Sequence, residues 1–308
     1  MKIKARCSFP EVLMDKLLRN KRTILCFLLP GVVIYTVSVI IPIIWSAYYS
    51  LVDWNGYGEI TYVGINNFKR LMGDTEFWDS VVHTLIYAIG QIVLQIGGGL
   101  LLAVLLTNIV VLRKPLQVMY YLPVIISTVA LCQMFKKMFG VVPAGLVNQI
   151  LSNFNPKWGH IEWLTNVKSS LAMVTAVAGY KNMPVYMLIF YSAFLTVPNS
   201  LVEAAKIDGA NSFQIFTKIK IPHIRPTIFA NLLLVLNGSL RGFDIAKLLT
   251  AGGPINSSQL QAMYMYKQAF SSQKYGYGST VAMFIVTESL ILAILIRWIS
   301  SSRKLGGR

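Results

Sequence analysis

Four ionisable side chains lie within segments that are otherwise apolar enough to cross a membrane: Lys181, Arg241, Asp244 and Glu288. A charge at mid-bilayer costs about 2.5 to 3.5 kcal/mol on insertion scales, so these groups are expected to face protein or a wet cavity. Arg241 and Asp244 are three residues apart, a spacing that predicts an ion pair on one helix. The alternatives for this pair are a solute path and a conformational gate, and Lys181 could pair with Glu288 across helices.

Residues typical of catalytic or metal sites are sparse. The three cysteines are far apart and form no CxxC pattern, which argues against a metal site or a disulfide framework. None of the three histidines has a second plausible ligand at helical spacing. The chain also contains no GxxxxGK[ST] sequence, so it is not expected to hydrolyse ATP itself. We therefore predict no catalytic residue, no metal ligand and no cofactor bound by this chain.

A polar stretch at residues 203–226 interrupts the apolar segments. Ser200 and Glu203 have the spacing of a capping box, which predicts a helix that starts near Ser200. Gly209 can adopt the left-handed backbone conformation that ends a helix. A short helix followed by a turn is therefore expected here.

A second helix is predicted directly after this turn. Asn211 and Gln214 have the spacing of another capping box. Apolar residues then recur every three positions, which indicates one buried helix face; they are Phe213, Phe216 and Ile219. Pro222 and Pro226 are expected to stop this helix.

The composition indicates a membrane protein with several spans. The chain has 308 residues, of which 55% are hydrophobic and 13% charged, a composition that argues against a water-soluble globule. In a soluble protein the formal net charge of +16 would indicate nucleic-acid binding. In a membrane protein the same excess marks cytoplasmic loops, and no nucleic-acid partner is predicted.

Hydropathy predicts an all-α integral membrane fold with six transmembrane helices. The N-terminal segment 1–23 precedes a first helix at 24–51 and an external loop at 52–79, which contains five carboxylates. The core 80–298 holds five more helices, with a kink expected at Pro123, and residues 299–308 form a tail. These five helices are expected at about 81–106, 116–135, 171–195, 227–248 and 279–296. The loop 200–226 lies between the third and the fourth of them.

The distribution of Lys and Arg predicts the orientation. Six spans place both termini on one side of the bilayer, together with the turn at Arg113 and the polar stretch. That side carries seventeen Lys and Arg, the opposite loops carry nine, and two are intramembrane. Both termini and the polar stretch are therefore expected in the cytoplasm.

The polar stretch resembles the EAA loop of permease subunits from binding-protein-dependent ABC importers. The resemblance rests on order and spacing, with Ile221 where that family more often has Leu. The matching residues are Glu203, Ala204, Ala205, Asp208, Gly209, Ala210, Ile219, Pro222 and Pro226. In that family the loop is a cytoplasmic coupling helix that docks in a cleft of the ATPase subunit.

Most of the chain resembles the sugar-type subgroup of these permeases. The motifs are Leu28-Leu29-Pro30, Asp53-Trp54, Asn67-Phe68-Lys69-Arg70, Tyr121-Leu122-Pro123 and Leu249-Thr250-Ala251-Gly252-Gly253-Pro254. The resemblance implies the type I importer fold in a bacterial inner membrane. It also implies a second homologous permease, two ATPase subunits that bind ATP and Mg²⁺, and an external solute-binding protein.

The site residues follow in two groups. The resemblance assigns ATPase coupling to Glu203, Ala204, Ala205, Asp208, Gly209 and Ala210. Polar or flat side chains on the fourth and fifth spans are candidates for the solute path: Tyr180, Tyr186, Asn237, Leu240 and Arg241. Arg241 departs from a neutral lining, which indicates either an anionic solute or the ion pair with Asp244.

Three functions remain open at this point. The first is a permease for a sugar or a sugar-like solute, with glycerol phosphate as an alternative. The second is an ion-coupled secondary transporter, which predicts internal repeats that are not evident and leaves the EAA resemblance unexplained. The third is a membrane-anchored assembly protein, which predicts few polar residues within the spans.

Overall fold

A computed structural model describes residues 21–109 and 111–302, with side chains described from residue 24 to residue 298 apart from residue 110. Most of the predicted N-terminal segment 1–23 and of the tail 299–308 lies outside these residues. The α-helices in chain order are α1 Lys21–Tyr35, α2 Ile41–Tyr49, α3 Asn66–Met72, α4 Thr75–Gln91, α5 Gly99–Asn108, α6 Arg113–Ile125, α7 Thr128–Met138, α8 Leu146–Phe154, α9 Ser170–Leu195, α10 Asn199–Ile207, α11 Ser212–Ile215, α12 Ile221–Leu240, α13 Asp244–Leu249, α14 Gln261–Tyr266 and α15 Tyr275–Ser302.

Short π-helical segments join α1 to α2, α4 to α5 and α11 to α12, and a fourth extends α14 at its end. They are Thr36–Ile40, Ile92–Gly98, Phe216–Lys220 and Lys267–Ser271. A 3₁₀ turn follows α8 at Pro156–His160, and the strands β1 Val52–Asp53 and β2 Thr61–Tyr62 form a small antiparallel hairpin. The architecture is thus helical, as predicted.

Within the described residues, four helical segments are long and apolar enough to span a bilayer: Ile24–Tyr49, Thr75–Asn108, Ser212–Leu240 and Tyr275–Trp298. Two bent pairs also qualify if each counts as one span. The α6–α7 pair turns by 93° and the α9–α10 pair by 70°. The first bend follows Ile125, two residues after Pro123, and is a break rather than the predicted kink.

The predicted boundaries around the fifth span were wrong. Pro222 and Pro226 do not stop the helix, because the π-helical turn Phe216–Lys220 leads directly into α12, and such local adjustments let a membrane-spanning helix tolerate proline. The continuous helical segment therefore begins at Ser212. At its other end α12 stops at Leu240, and a new helix begins at Asp244.

Close helix packing holds the centre of the bundle together. The small residues of the second span permit this contact, because a Cβ on Gly99 would lie 3.1 Å from the backbone nitrogen of Met187. A Cβ on Gly98 would clash with the Met183 side chain, whereas one on Gly97 would meet nothing. The second and fourth spans therefore approach each other at Gly98 and Gly99.

Candidate functional site

Residues 199–220, called the coupling segment below, cover most of the predicted EAA loop 200–226 and have the helix–turn–helix form that the sequence indicates. Gly209 ends α10 with φ of +79°, and the amide of Ala210 donates to the carbonyl of Ala205 at 2.9 Å. Asn211 and Gln214 form the predicted capping box, with hydrogen bonds of 2.8 and 2.9 Å. A β-branched residue would be strained at Gly209, because its backbone conformation favours glycine.

The other predicted capping box is absent. Helix α10 begins at Asn199 after Pro198, and no side chain caps its first turn. Glu203 lies within the helix and is exposed. Its carboxylate is thus left available for contacts outside the described chain.

The outer face of the coupling segment is uncovered. Helix α10 has no buried residue, and Ile207 and Phe213 are 86% and 73% exposed. Between the two short helices lies a groove of about 330 Å³, lined by both polar and apolar side chains. The lining residues are Ala205, Asp208, Gly209, Ala210, Gln214, Lys218 and Ile219.

The inner face of the same segment is packed against the bundle. Phe216 contacts Phe194 of α9 with ring centroids 6.2 Å apart. Val202, Phe216 and Ile219 pack against a buried cluster contributed by three spans. The cluster consists of Ala103, Leu106, Met187, Phe190, Phe194, Val197 and Ile224. A displacement of the segment would therefore be passed to α5, α9 and α12.

A polar cavity of about 260 Å³ lies in the bundle between α4, α9 and α12. Its lining combines hydroxyl, amide and aromatic groups: Tyr87, Gln95, Asn182, Val185, Tyr186, Val235, Gly238 and Ser239. Such a mixture can hold a polar solute with flat faces. Of the five solute-path candidates, Tyr186 alone lines this cavity.

The remaining solute-path candidates lie elsewhere. Leu240 is 1% exposed and does not line the polar cavity. Tyr180 contacts Phe135 edge-on at 5.8 Å. Asn237 is exposed outside the polar cavity, and Arg241 lines a different cavity.

Gln95 was missed by sequence reasoning, although a signal was present. Gln91 and Gln95 are two amides four residues apart in an apolar span. Gln95 donates to the Gln91 side chain, and Gln91 donates to the carbonyl of Thr175 at 2.8 Å. This bonding orders the wall of the polar cavity.

The predicted intramembrane ion pairs are absent. Among described residues, the ion pair closer than 4 Å is Lys267–Glu76. Arg241 and Asp244 do not meet, because the helix ends between them. Lys181 instead donates to the hydroxyl of Thr128, and Glu288 has an unpartnered carboxylate oxygen.

The end of the bundle opposite the coupling segment is closed by a polar hub around Asp74. Its carboxylate accepts from the hydroxyls of Tyr264 and Tyr277, the latter at 2.6 Å, and from the backbone amide of Phe77 at 3.2 Å. Partial burial raises the pKa of Asp74, but these hydrogen bonds outweigh it and leave the pKa below its usual range. Nearby, Lys267 pairs with Glu76 at 2.5 Å.

A bundle of apolar spans with a polar helix pair exposed at one end is the architecture of a multi-pass membrane protein. Residues 95–304 match the family described as binding-protein-dependent transport system inner membrane component. The chain belongs to this family, whose members are permease subunits of ABC importers.

Similar proteins cover nearly the whole chain. The chain is 30% identical to the probable starch degradation products transport system permease protein AmyD of Thermoanaerobacterium thermosulfurigenes, over 90% of this chain and 94% of that protein. It is 28% identical to the multiple sugar-binding transport system permease protein MsmF of Streptococcus mutans, over 87% of this chain and 92% of that protein. A bacterial ABC transporter involved in the import of the acidic polysaccharide alginate shares the fold, with a TM-score of 0.81 and 21% identity. The match covers 94% of this chain and 98% of that chain.

Proposed function

We propose that this chain is the permease subunit of an ATP-driven importer that moves a sugar or sugar-like solute from an external binding protein to the cytoplasm by alternating access. The observation that carries the proposal is the two-sided coupling segment. Its outer face is uncovered at Ile207 and Phe213, whereas its inner face is packed on three spans. Such a segment can receive force from another subunit and pass it on.

The outer face of the coupling segment is the docking site for a separate ATPase, which binds ATP and Mg²⁺. Glu203 and Asp208 anchor it through polar contacts, Ala204, Ala205 and Ala210 permit close approach, and Gly209 sets the turn. The groove of about 330 Å³ beside Gly209 gives a concave surface for a side chain of the partner. The excess of Lys and Arg on this side supports a cytoplasmic location for the segment and both termini.

The solute path runs through the polar cavity that Tyr186 lines. Amide and hydroxyl groups there can hydrogen-bond to sugar hydroxyls, and Tyr186 offers a flat face to a sugar ring. The names of AmyD and MsmF support a saccharide as the solute. Glycerol phosphate is the alternative that Arg241 favours, and a second homologous permease completes the path.

The test is purification of the tagged chain from membranes, followed by measurement of ATP hydrolysis. A second permease and an ATPase are expected to co-purify with the wild-type chain. Glu203→Lys and Gly209→Val are expected to reduce recovery of the ATPase by about tenfold, because each disturbs the docking surface. Glu59→Lys, the same charge change at an exposed site on the other end, is the matched control and is expected to retain it.

A chain that purifies alone and carries solute under an ion gradient, whatever residues stand at 203 and 209, would contradict the proposal. It would favour the ion-coupled secondary transporter instead.

A further inference from the structure

A second cavity, of about 380 Å³, lies at the end of α12 opposite the coupling segment. It shares no lining residue with the polar cavity. Most of its wall is apolar and comes from α14 and α15, including Met265 and Ile285. Its remaining wall is formed by Arg241 and by the rings of Phe243 and Tyr266.

Aromatic rings lead from this cavity along the same end of the molecule. Phe243 contacts Tyr266 with ring centroids 5.2 Å apart, and Tyr266 contacts Phe270 at 5.1 Å. The series continues through Tyr275 at 6.0 Å to Trp54 at 5.6 Å. Tyr266 and Phe270 are exposed, and the other rings are half-buried. The exposed rings of Tyr266 and Phe270 form a surface for two successive sugar rings, and the half-buried rings pack beside them.

Two cations flank the aromatic pair that opens into the cavity. Arg241 lines the cavity and is exposed, and the ammonium of Lys247 lies 5.6 Å from the centroid of the Tyr266 ring. Asp244 stands between them in sequence, yet among the described residues no carboxylate lies within 4 Å of either cation. Both cations are therefore free to bind an anion from outside the described chain.

We propose that Arg241, Phe243, Tyr266 and Lys247 form a subsite for an anionic saccharide unit, with the exposed ring of Phe270 holding the neighbouring unit. An aromatic face accepts the apolar face of a sugar ring, and a guanidinium binds a carboxylate or phosphate through paired hydrogen bonds. A neutral sugar would leave both cations without an anionic partner. The inference rests on the proposed function, because it treats this end as the entrance for solute.

The test measures binding of defined probes to the complete transporter in lipid nanodiscs, without the solute-binding protein. The probes are trigalacturonate, glucose 1-phosphate and neutral maltotriose. Trigalacturonate or glucose 1-phosphate is expected to bind in the millimolar range and more weakly at high salt, and the tighter of the two identifies the anionic group. Maltotriose is expected to bind at least about tenfold more weakly.

Variants distinguish this subsite from general charge attraction. Arg241→Gln with Lys247→Gln is expected to weaken binding of the anionic probe by about tenfold or more. The control Lys274→Gln removes an exposed cation at the same end and is expected to leave binding unchanged. Thermal unfolding of each variant verifies the fold.

Three results would overturn the inference: no binding of either anionic probe at about 10 mM, equal binding of maltotriose, or equal losses in the double variant and the control. Binding to the lone chain that disappears in the complete complex would also overturn it, because the partner permease would then cover this surface. The proposed function is judged separately, by co-purification of the ATPase. A complex that assembles without binding these probes would refute the subsite alone.

Discussion

The two ends of the molecule are built differently. At the Asp74 end, hydrogen bonds join α4 to residues about two hundred positions further along the chain, and a Cβ on Gly276 would lie only 2.0 Å from the carbonyl oxygen of Val52. At the coupling end, a Cβ on Gly209 would meet nothing, and Phe213 is largely exposed. The contacts of Asp74 and Gly276 are made within the chain. The outer face of the coupling segment is left uncovered among the described residues, and it is the face that we propose to dock another subunit.

This difference predicts where substitutions destabilise the chain itself and where they affect assembly. Changes at the Asp74 end should lower the stability of the isolated chain. Changes to exposed side chains on the outer face of the coupling segment should leave the stability of the isolated chain unchanged. Thermal unfolding in detergent can be followed through the reactivity of buried Cys132, in a chain whose other cysteines are replaced by serine.

The largest effect is expected for Gly276→Ala. The added methyl group would overlap the backbone of Val52, which a rotamer change cannot relieve. We expect a loss of about 3 kcal/mol or more in the free energy of unfolding, because overpacking against a backbone forces the elements apart. Gly58→Ala is the control, because a Cβ at this position would meet nothing. The φ of +76° at Gly58 favours glycine, so this variant is expected to lose some stability, but less than Gly276→Ala. Equal unfolding temperatures for the two variants would show that the Asp74 end is loosely packed.

Asp74→Ala is expected to have the next largest effect. It removes the N-cap of α4 and the acceptor for the hydroxyls of Tyr264 and Tyr277, for a combined loss of about 3 kcal/mol. Asp79→Ala, on the exposed side of the same helix, is the control and should change stability by less than about 0.5 kcal/mol.

The contribution of Asp74 should also depend on pH. Its pKa is lower in the folded than in the unfolded chain, so its stabilisation is complete above about pH 4 and is lost as the pH falls through the lower, folded value. The difference in unfolding temperature between wild type and Asp74→Asn should therefore shrink in acid. A difference that stays constant down to about pH 2 would contradict the hydrogen-bonded carboxylate.

The smallest effect on stability is expected for Phe213→Ser. Because Phe213 is 73% exposed, the free energy of unfolding should change by less than about 0.5 kcal/mol. Recovery of the ATPase should nevertheless fall, since an exposed aromatic ring on the outer face is lost. A marked loss of stability without loss of the ATPase would reverse the comparison between the two ends.

The features predictable from sequence were mostly local in origin. The turn at Gly209 and the capping box of Asn211 and Gln214 depend on a few neighbouring residues, and both formed as predicted. The capping-box rule failed at Ser200, because the helix begins at Asn199 and Pro198 occupies the N-cap position. Local spacing also failed for Arg241 and Asp244, where a helix end separates two residues that an unbroken helix would have paired.

The features that could not be predicted depend on contacts between distant parts of the chain. In the sequence, no neighbouring residue distinguishes Asp74 from the other loop carboxylates or indicates that Tyr264 and Tyr277 donate hydrogen bonds to it. The polar cavity likewise combines Gln95 with residues from α9 and α12. Sequence patterns identify polar residues in apolar spans, but helix packing decides which of them share a cavity.

The central claim is that the outer face of the coupling segment contacts a separate ATPase. Cysteine placed at Ile207 or at Tyr57, both strongly exposed but at opposite ends, would be labelled with a maleimide–benzophenone in a chain whose native cysteines are replaced by serine. Irradiation of the assembled complex then links the benzophenone to a C–H bond of whichever protein lies next to it. The account predicts a covalent adduct with an ATPase subunit from position 207 and none from position 57. No ATPase adduct from position 207, or equal adducts from both positions, would contradict it.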